Sequence, residues 1–121
     1  HAPPSLAELL WSVAVARLIF GSDMSIQAPP NLSPGEADAR PAAWRALLDA
    51  GINDWGGVSP LTRDWVNPEK PWPGIQALAE VTAETGAALV PRLTVYPPYA
   101  LQPETWLDGS GGVLSMAGMV R

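Results

Sequence analysis

Five consecutive residues, Asn53-Asp54-Trp55-Gly56-Gly57, hold the densest concentration of reactive and ligand-facing groups in the chain. Asp54 is an acceptor and a candidate base, and Asn53 offers both a donor and an acceptor. Trp55 carries a flat face on which a ring can stack. Gly56 and Gly57 permit a positive φ or a close approach of backbone to a ligand. The same five residues also suit a tight turn closed by an Asx hydrogen bond, with the indole in the core. The glycine pair is not G-x-G-x-x-G, so no dinucleotide site follows. Gln27, Asn31 and Ser59 add polar groups on neighbouring segments. Arg92 sits in an apolar run, where a bare charge is costly. It suits a carboxylate or phosphate ligand, or a structural pair with Glu69 or Glu84. The stretch from Val66 to Pro73 is stiffened by Pro68, Pro71 and Pro73, and Trp65 and Trp72 can wall a pocket beside it. With a single His and no Cys, no Ser-His-Asp or Cys-His set can be assembled and no metal site is expected.

The elements that must position these groups are marked by caps and stops. Ser5-Leu6-Ala7-Glu8 is a capping box behind Pro3-Pro4, and it opens a helix that runs to Phe20 and stops at Gly21. Leu6, Leu9, Leu10, Val13, Ala14, Val15, Leu18 and Ile19 leave that helix little polar face, so burial on most sides is expected. Residues 24–28 alternate as a short strand that Pro29-Pro30 ends. Residues 41–50 read as a second helix with Pro41 in its first turn and Gly51 as its stop. Residues 52–55 form a second short strand. Pro73 or Gly74 starts a third helix with Ile75, Leu78, Ala79 and Val81 as its apolar stripe, and Gly86 ends it. Residues 88–95 read as a third strand, closed by Pro97-Pro98. The stretch 102–121 has no clear period, and Gly109-Ser110-Gly111-Gly112 is linker-like.

This order, α-β-α-β-α-β, implies a parallel sheet with helices outside it. The helix stops at Gly21, Gly51 and Gly86 are 30 and 35 residues apart. A barrel of about 250 residues allots roughly 31 to each of its eight units. Three strands cannot close a barrel, so the fold expected is α/β, the last three or so βα units of a larger (β/α) barrel. A three-stranded α/β domain standing alone is the alternative. Starting with His1 and not Met, the chain reads as a processed product or a piece of something longer. In such folds the loops after the strands share one side, so Gln27, Asn31, Asn53, Asp54, Ser59 and Arg92 can converge there.

Composition narrows the function further. The 121 residues include 14 prolines and 11 glycines, about a fifth of the chain against a usual share of roughly 12%. Hydrophobic residues make up 47%, ample for a core. The net charge of −5 argues against nucleic acid or an anionic membrane as partner. No apolar run reaches a membrane span, and no basic region precedes an apolar one as in a signal peptide, so a cytoplasmic protein is expected.

In order and spacing, four stretches resemble the FO synthase family: Ile26-Gln27-Ala28-Pro29-Pro30-Asn31-Leu32, Ala50-Gly51-Ile52-Asn53-Asp54-Trp55-Gly56-Gly57-Val58-Ser59-Pro60, Val66-Asn67-Pro68-Glu69 with Pro71-Trp72-Pro73, and Arg92-Leu93-Thr94-Val95-Tyr96-Pro97. The resemblance covers residues 1–108, with 109–121 a divergent tail or linker. The Asn-Asp-Trp-Gly-Gly-Val-Ser-Pro form looks like the ring-closing module, whereas the tyrosine-coupling sister module carries a Leu-like residue at Trp55. Arg63, Trp65 and Pro91 depart from the pattern, standing where a Pro, a smaller ring residue and an acid are usual.

The resemblance implies a radical S-adenosylmethionine enzyme of coenzyme F420 biosynthesis, a lyase or transferase built on a (β/α) barrel. A [4Fe-4S] cluster on a Cys-x3-Cys-x2-Cys loop cleaves S-adenosylmethionine, and the resulting radical closes the deazaflavin ring with loss of ammonia. This chain lacks those cysteines, so it would be the C-terminal third of such a module, inactive in isolation. Asp54 would then be the catalytic proton acceptor. Gln27, Asn31, Asn53, Trp55, Gly56, Gly57, Ser59 and Arg92 would bind substrate or S-adenosylmethionine. The partners implied are a small-molecule substrate, the rest of the barrel and the sister module. Two other readings stand beside this one: a non-catalytic α/β or ligand-binding piece, and a different barrel enzyme with a phosphate site at its last loops.

Overall fold

The structure is a computed structural model that describes residues 2–34 and 39–106. It divides into two compact units, residues 1–89 and 90–121, each taken by itself below. The tail expected at 109–121 lies outside the described residues.

In the first unit α1 (Leu6–Phe20) begins where the capping box predicts it. The Ser5 hydroxyl accepts from the Glu8 amide at 3.3 Å, and the Glu8 carboxylate accepts from the Ser5 amide at 2.8 Å. The Ser5 backbone bond and then its side-chain bond hold the Glu8 carboxyl below its ordinary pKa. At the other end Arg17 acts as a staple. Its Nε donates to the Gly51 carbonyl at 2.8 Å, and its Nη1 donates to the carbonyls of Gly21 at 2.6 Å and Met24 at 2.7 Å. One guanidinium thus gathers the end of α1, the chain after it and the end of α2 (Arg40–Ala50). Gly51 sits at φ +119°, and a Cβ there would lie 2.8 Å from the Arg17 Cγ. Only glycine satisfies both the helix stop and the staple.

Helix α1 packs on α2, and α2 on α3 (Ile75–Glu84). The core between them holds Val13, Ala28, Trp44, Leu47, Ile52, Trp55, Leu78 and Val81. Leu47 and Leu78 are closed off from solvent. Both buried indoles are satisfied, as the polar edge of a core Trp requires. Trp44 donates to the Pro30 carbonyl at 2.9 Å, and Trp55 to the Thr82 hydroxyl at 3.2 Å. At the solvent edge Arg45 joins α2 to α3 through Glu84 at 3.1 Å.

Two expectations need correction. The first concerns strands. Among the described residues there is no extended strand, only a parallel bridge between Gln27 and Asp54. The segments expected at 24–28 and 52–55 do pair, but only over this one rung. The segment 88–95 is not a strand at all, and the boundary between the two units falls inside it. A strand exists only by pairing, and Pro91 removes one of the donors a ladder would use.

The second concerns α1, expected to be buried on most sides. Of its residues only Val13 is buried, with Leu9 and Leu10 packed partly against the core. Trp11, Leu18, Ile19 and Phe20 are exposed, Leu18 at 84%. Among the described residues of its unit α1 packs mainly on one helix, α2, and that covers a single stripe.

The second unit begins with irregular chain and two short helices, α4 (Pro97–Ala100) and α5 (Pro103–Trp106). Pro97-Pro98, read as a strand terminator, instead opens α4. Proline suits a first helical turn because its missing N–H has no partner there. Tyr99 and Trp106 meet edge to face, ring centroids 5.1 Å apart.

Among the described residues no helix is long and apolar enough to cross a membrane. Leu47→Ala should lower the unfolding free energy by about 3 kcal/mol, the usual cost of such a cavity. A urea titration reads this as an earlier midpoint at unchanged slope. A loss below about 1 kcal/mol would mean that Leu47 does not close the core.

Candidate functional site

The parallel bridge sets the geometry. The Ala28 amide donates to the Asp54 carbonyl at 3.2 Å, and the Asn53 amide donates to the Ile26 carbonyl at 3.1 Å. Because the two segments run the same way, the loops that follow them leave on the same side. Gln27 and Asp54 stand at that edge, and Gly56 follows directly. Gly56 is held at φ +76°, and a Cβ there would lie 2.5 Å from the Gln27 Nε2. The Gln27 side chain therefore lies across a bare stretch of backbone that only glycine can provide.

Asp54 anchors the same turn. Its Oδ1 accepts from the Gly56 amide at 2.9 Å, an Asx turn that fixes the carboxylate on the loop it begins. Gly57 is open on its Cα face, with nothing within 4 Å of where a Cβ would stand. Ser59 organises the next turn, its hydroxyl accepting from the amides of Leu61 at 3.3 Å and Thr62 at 3.1 Å.

Two of the named residues, Trp55 and Asn31, are buried, and a third, the exposed Asn53, bonds its side chain to backbone. Asn53 turns its side chain along the chain: its Oδ1 accepts from the Ile26 amide at 2.8 Å and its Nδ2 donates to the Met24 carbonyl at 3.2 Å. Trp55 lies buried in the core with its indole bound to Thr82, so its face is occupied by packing. Asn31 is 0% exposed. Its Nδ2 donates to Asp64 Oδ2 at 2.9 Å and to the Lys70 carbonyl at 3.1 Å, while its Oδ1 is buried with no partner among the described residues.

Asp64 is the residue that the sequence reading passed over. Its Oδ1 accepts from the amides of Val66 at 2.9 Å and Asn67 at 3.1 Å, and its Oδ2 from the side chains of Asn31 and Asn67. Desolvation alone would raise its pKa, but these four bonds, Asn67's first, outweigh it and hold the carboxyl below the ordinary aspartate value. The spacing Asp64-x-Val66-Asn67 is itself an Asx-turn signal. Arg92 belongs to the second unit. There it donates to the Leu93 carbonyl at 2.5 Å and lies 4.4 Å from the centre of the Tyr96 ring. Of the two acids suggested as its structural partner, Glu84 is bound to Arg45.

The first unit thus brings Gln27, Asp54 and Gly56 together at one edge. Among the described residues no group of three or more His, Asp or Glu could hold a metal ion. The chain contains no cysteine, so it supplies no thiolate for an iron-sulfur cluster.

Comparison with known proteins bears out the resemblance read from the motifs. The chain is 52% identical over 103 residues to an FO synthase of Mycobacterium tuberculosis, a match covering 85% of this chain and 11% of that protein. It is 50% identical over 117 residues to an FO synthase of Mycobacterium leprae, covering 95% of this chain and 13% of the relative. A 7,8-didemethyl-8-hydroxy-5-deazariboflavin synthase of Methanopyrus kandleri is 50% identical over 99 residues, 82% of this chain and 27% of that enzyme. The chain spans between about a tenth and a quarter of the length of these curated relatives, and over that span it is homologous to a segment of FO synthase. No family model matches it, and no solved structure matches.

Two outcomes follow from the site's geometry. Gly56→Ala should displace the Gln27 side chain and destabilise the chain, whereas Gly57→Ala should be tolerated. Paired thermal melts test this, and equal melts would remove the argument for a cradle at Gly56. For Asp64 the folded carboxyl is the more acidic, so the unfolded state binds more protons across the window below the ordinary aspartate value. The stability it lends is complete above that value and is lost as pH falls through the folded pKa. Asp64→Asn should flatten this acid limb in a pH series of melts.

Proposed function

We propose that this chain is a segment of a radical S-adenosylmethionine FO synthase, supplying part of its barrel and one wall of its substrate site. The reaction would be closure of the deazaflavin ring from a tyrosine-derived hydroxybenzyl ribityl-uracil adduct, with loss of ammonia, in coenzyme F420 biosynthesis. The observation that carries this reading is the half-identity to proteins named FO synthase over most of the chain. Two features support the barrel. The pairing at Gln27 and Asp54 is parallel, as consecutive βα units require. The apolar outer face of α1 is what a helix shows when its strand-side neighbours belong to the remainder of the protein.

Within that reaction this chain's residues bind, orient and move protons. The [4Fe-4S] cluster, which generates the radical, would be held elsewhere in the polypeptide, since no thiolate is available here. Gln27, laid across Gly56, and the open backbone of Gly57 let a flat, polar substrate approach the loop closely. Ring closure leaves a proton to be taken up and departing ammonia needs one. Asp54, with one oxygen fixed by the Gly56 amide, is the group placed to accept it. Asn53, Trp55 and Ser59 contribute by holding the loop that carries Asp54, and Arg92, within the second unit, offers a guanidinium for an anionic or carbonyl group.

A second reading rests on the missing cysteines: the chain by itself is a binding piece with no chemistry. Both readings expect the isolated chain, reconstituted with iron and sulfide, to form no 5′-deoxyadenosine from S-adenosylmethionine. Formation of that product would refute both. They part in the full-length enzyme. Asp54→Asn there should lower FO turnover roughly a hundredfold, the usual worth of a positioned base. Arg92→Leu should raise KM. Wild-type kinetics in both variants would sink the assignment.

A further inference from the structure

We infer that Thr82 on α3 is a positioning residue for the reaction proposed above: its hydroxyl anchors Trp55 and, through Trp55, aims the Asp54 carboxylate. This rests on the reading of Asp54 as the proton acceptor of an FO synthase. Two peptide groups flank Trp55. The one before it carries the Asp54 carbonyl, which accepts from the Ala28 amide at 3.2 Å beside the parallel bridge. The one after it carries the Gly56 amide, which donates to Asp54 Oδ1 at 2.9 Å. The first peptide is thus held by the neighbouring segment, and the second holds the carboxylate. Only the two soft backbone dihedrals of Trp55 stand between them. Rotation there would swing the Gly56 amide, and the carboxylate bound to it, away from Gln27.

The indole blocks that rotation. Trp55 is buried in the core, and its Nε1–H donates to the Thr82 hydroxyl at 3.2 Å. An indole nitrogen donates and does not accept, so its one polar bond specifies the partner. Thr82 is buried as well, at 4% exposure. Its hydroxyl has a single proton, which goes to the Leu78 carbonyl one turn back at 2.7 Å. Toward Trp55 the hydroxyl therefore only accepts. The bonds run one way, from indole to hydroxyl to carbonyl, and each polar atom in the line is satisfied. For the helix alone the hydroxyl brings no gain. Valine has nearly the same shape, and a threonine bonded back to its own helix slightly destabilises it. Trp55, 27 residues earlier in the chain, is the partner that accounts for it. Helix α3, and not the loop's own sequence, then sets where the carboxylate points.

The test is made in the full-length enzyme, with the hydroxybenzyl ribityl-uracil adduct as substrate. Thr82→Val should lower kcat about tenfold with KM within about twofold, because a misplaced carboxylate slows turnover without weakening binding. The loss is smaller than that of Asp54→Asn because the base itself remains. Hydrogen exchange of the Gly56 amide should quicken in the same variant. Thr82→Ser, which keeps the hydroxyl, should stay within about twofold of the unsubstituted kcat. Val81→Ala should lower the melting temperature yet leave kcat and KM unchanged, since Val81 belongs to the same helix and core but takes no part in the Trp55 bond. Trp55→Phe deletes that bond from its other end, so adding Thr82→Val to it should lower kcat no further. Trp55→Phe alone serves if Thr82→Val does not fold. Unsubstituted kcat in Thr82→Val, no rescue by serine, an equal kcat loss in Val81→Ala, or additive losses in the double variant would overturn the proposal. Failure of the FO synthase reading would show separately, as no FO formed by the unsubstituted enzyme, with Gly56 exchange still quickened in Thr82→Val.

Discussion

The first unit hangs on the way the Asn53 side chain imitates a peptide group. Two short segments, 24–28 and 52–54, share one parallel bridge, too little to hold an ordinary ladder. Asn53 lengthens the pairing from its own side chain, accepting from the Ile26 amide and donating to the Met24 carbonyl. With the backbone bonds of Asn53 and Ala28, the two segments gain four connections where the main chain alone gives two. The core residues Ala28, Ile52 and Trp55 flank this seam directly. An aspartate would lose the donor and a leucine both bonds, and neither could hold the seam in register. The geometry of Gln27, Asp54 and Gly56 follows from that register, because a one-residue slip would turn each to the other face.

Arg17 serves the same end beside it, donating to the Met24 carbonyl that Asn53 also binds. By binding carbonyls after α1 and at the end of α2, it sets the starting point of both extended segments. Helix ends leave carbonyls without intrahelical partners, and a cation placed among them answers both the hydrogen bonding and the helix dipole. The start of the site edge is thus fixed by two side chains bonded to backbone, an arrangement in which polar groups do the aligning and apolar ones the holding.

The helices were legible in the sequence because their signals are local. Ser5, Glu8 and Gly21 bound α1 correctly, and Gly51 and Gly74 mark the ends of α2 and α3. Strands were less legible, because alternation at 24–28 or 88–95 shows which residues tolerate extension but not whether a neighbour is there to pair with. At the site, residue types alone located the loop but not the direction of its side chains. Asn53 and Trp55 have chemistry that suits a ligand equally well, and only the positions of Ile26, Met24 and Thr82, distant in sequence, engage them within the fold. The resemblance to FO synthase rested on ordered motifs, which survive even where individual geometry cannot be read. It named the family correctly while the three expected strands reduced to one bridge.

The bare outer face of α1 bears on how this polypeptide is made. Trp11, Leu18, Ile19 and Phe20 precede α2 and α3 in sequence, so translation releases them before those helices exist to complete the unit. Even after folding they remain uncovered by any described neighbour. A nascent stripe of this kind is the surface that holdase chaperones grip and that drives self-association. Yield in a heterologous host should therefore track chaperone supply more closely than intrinsic helix stability.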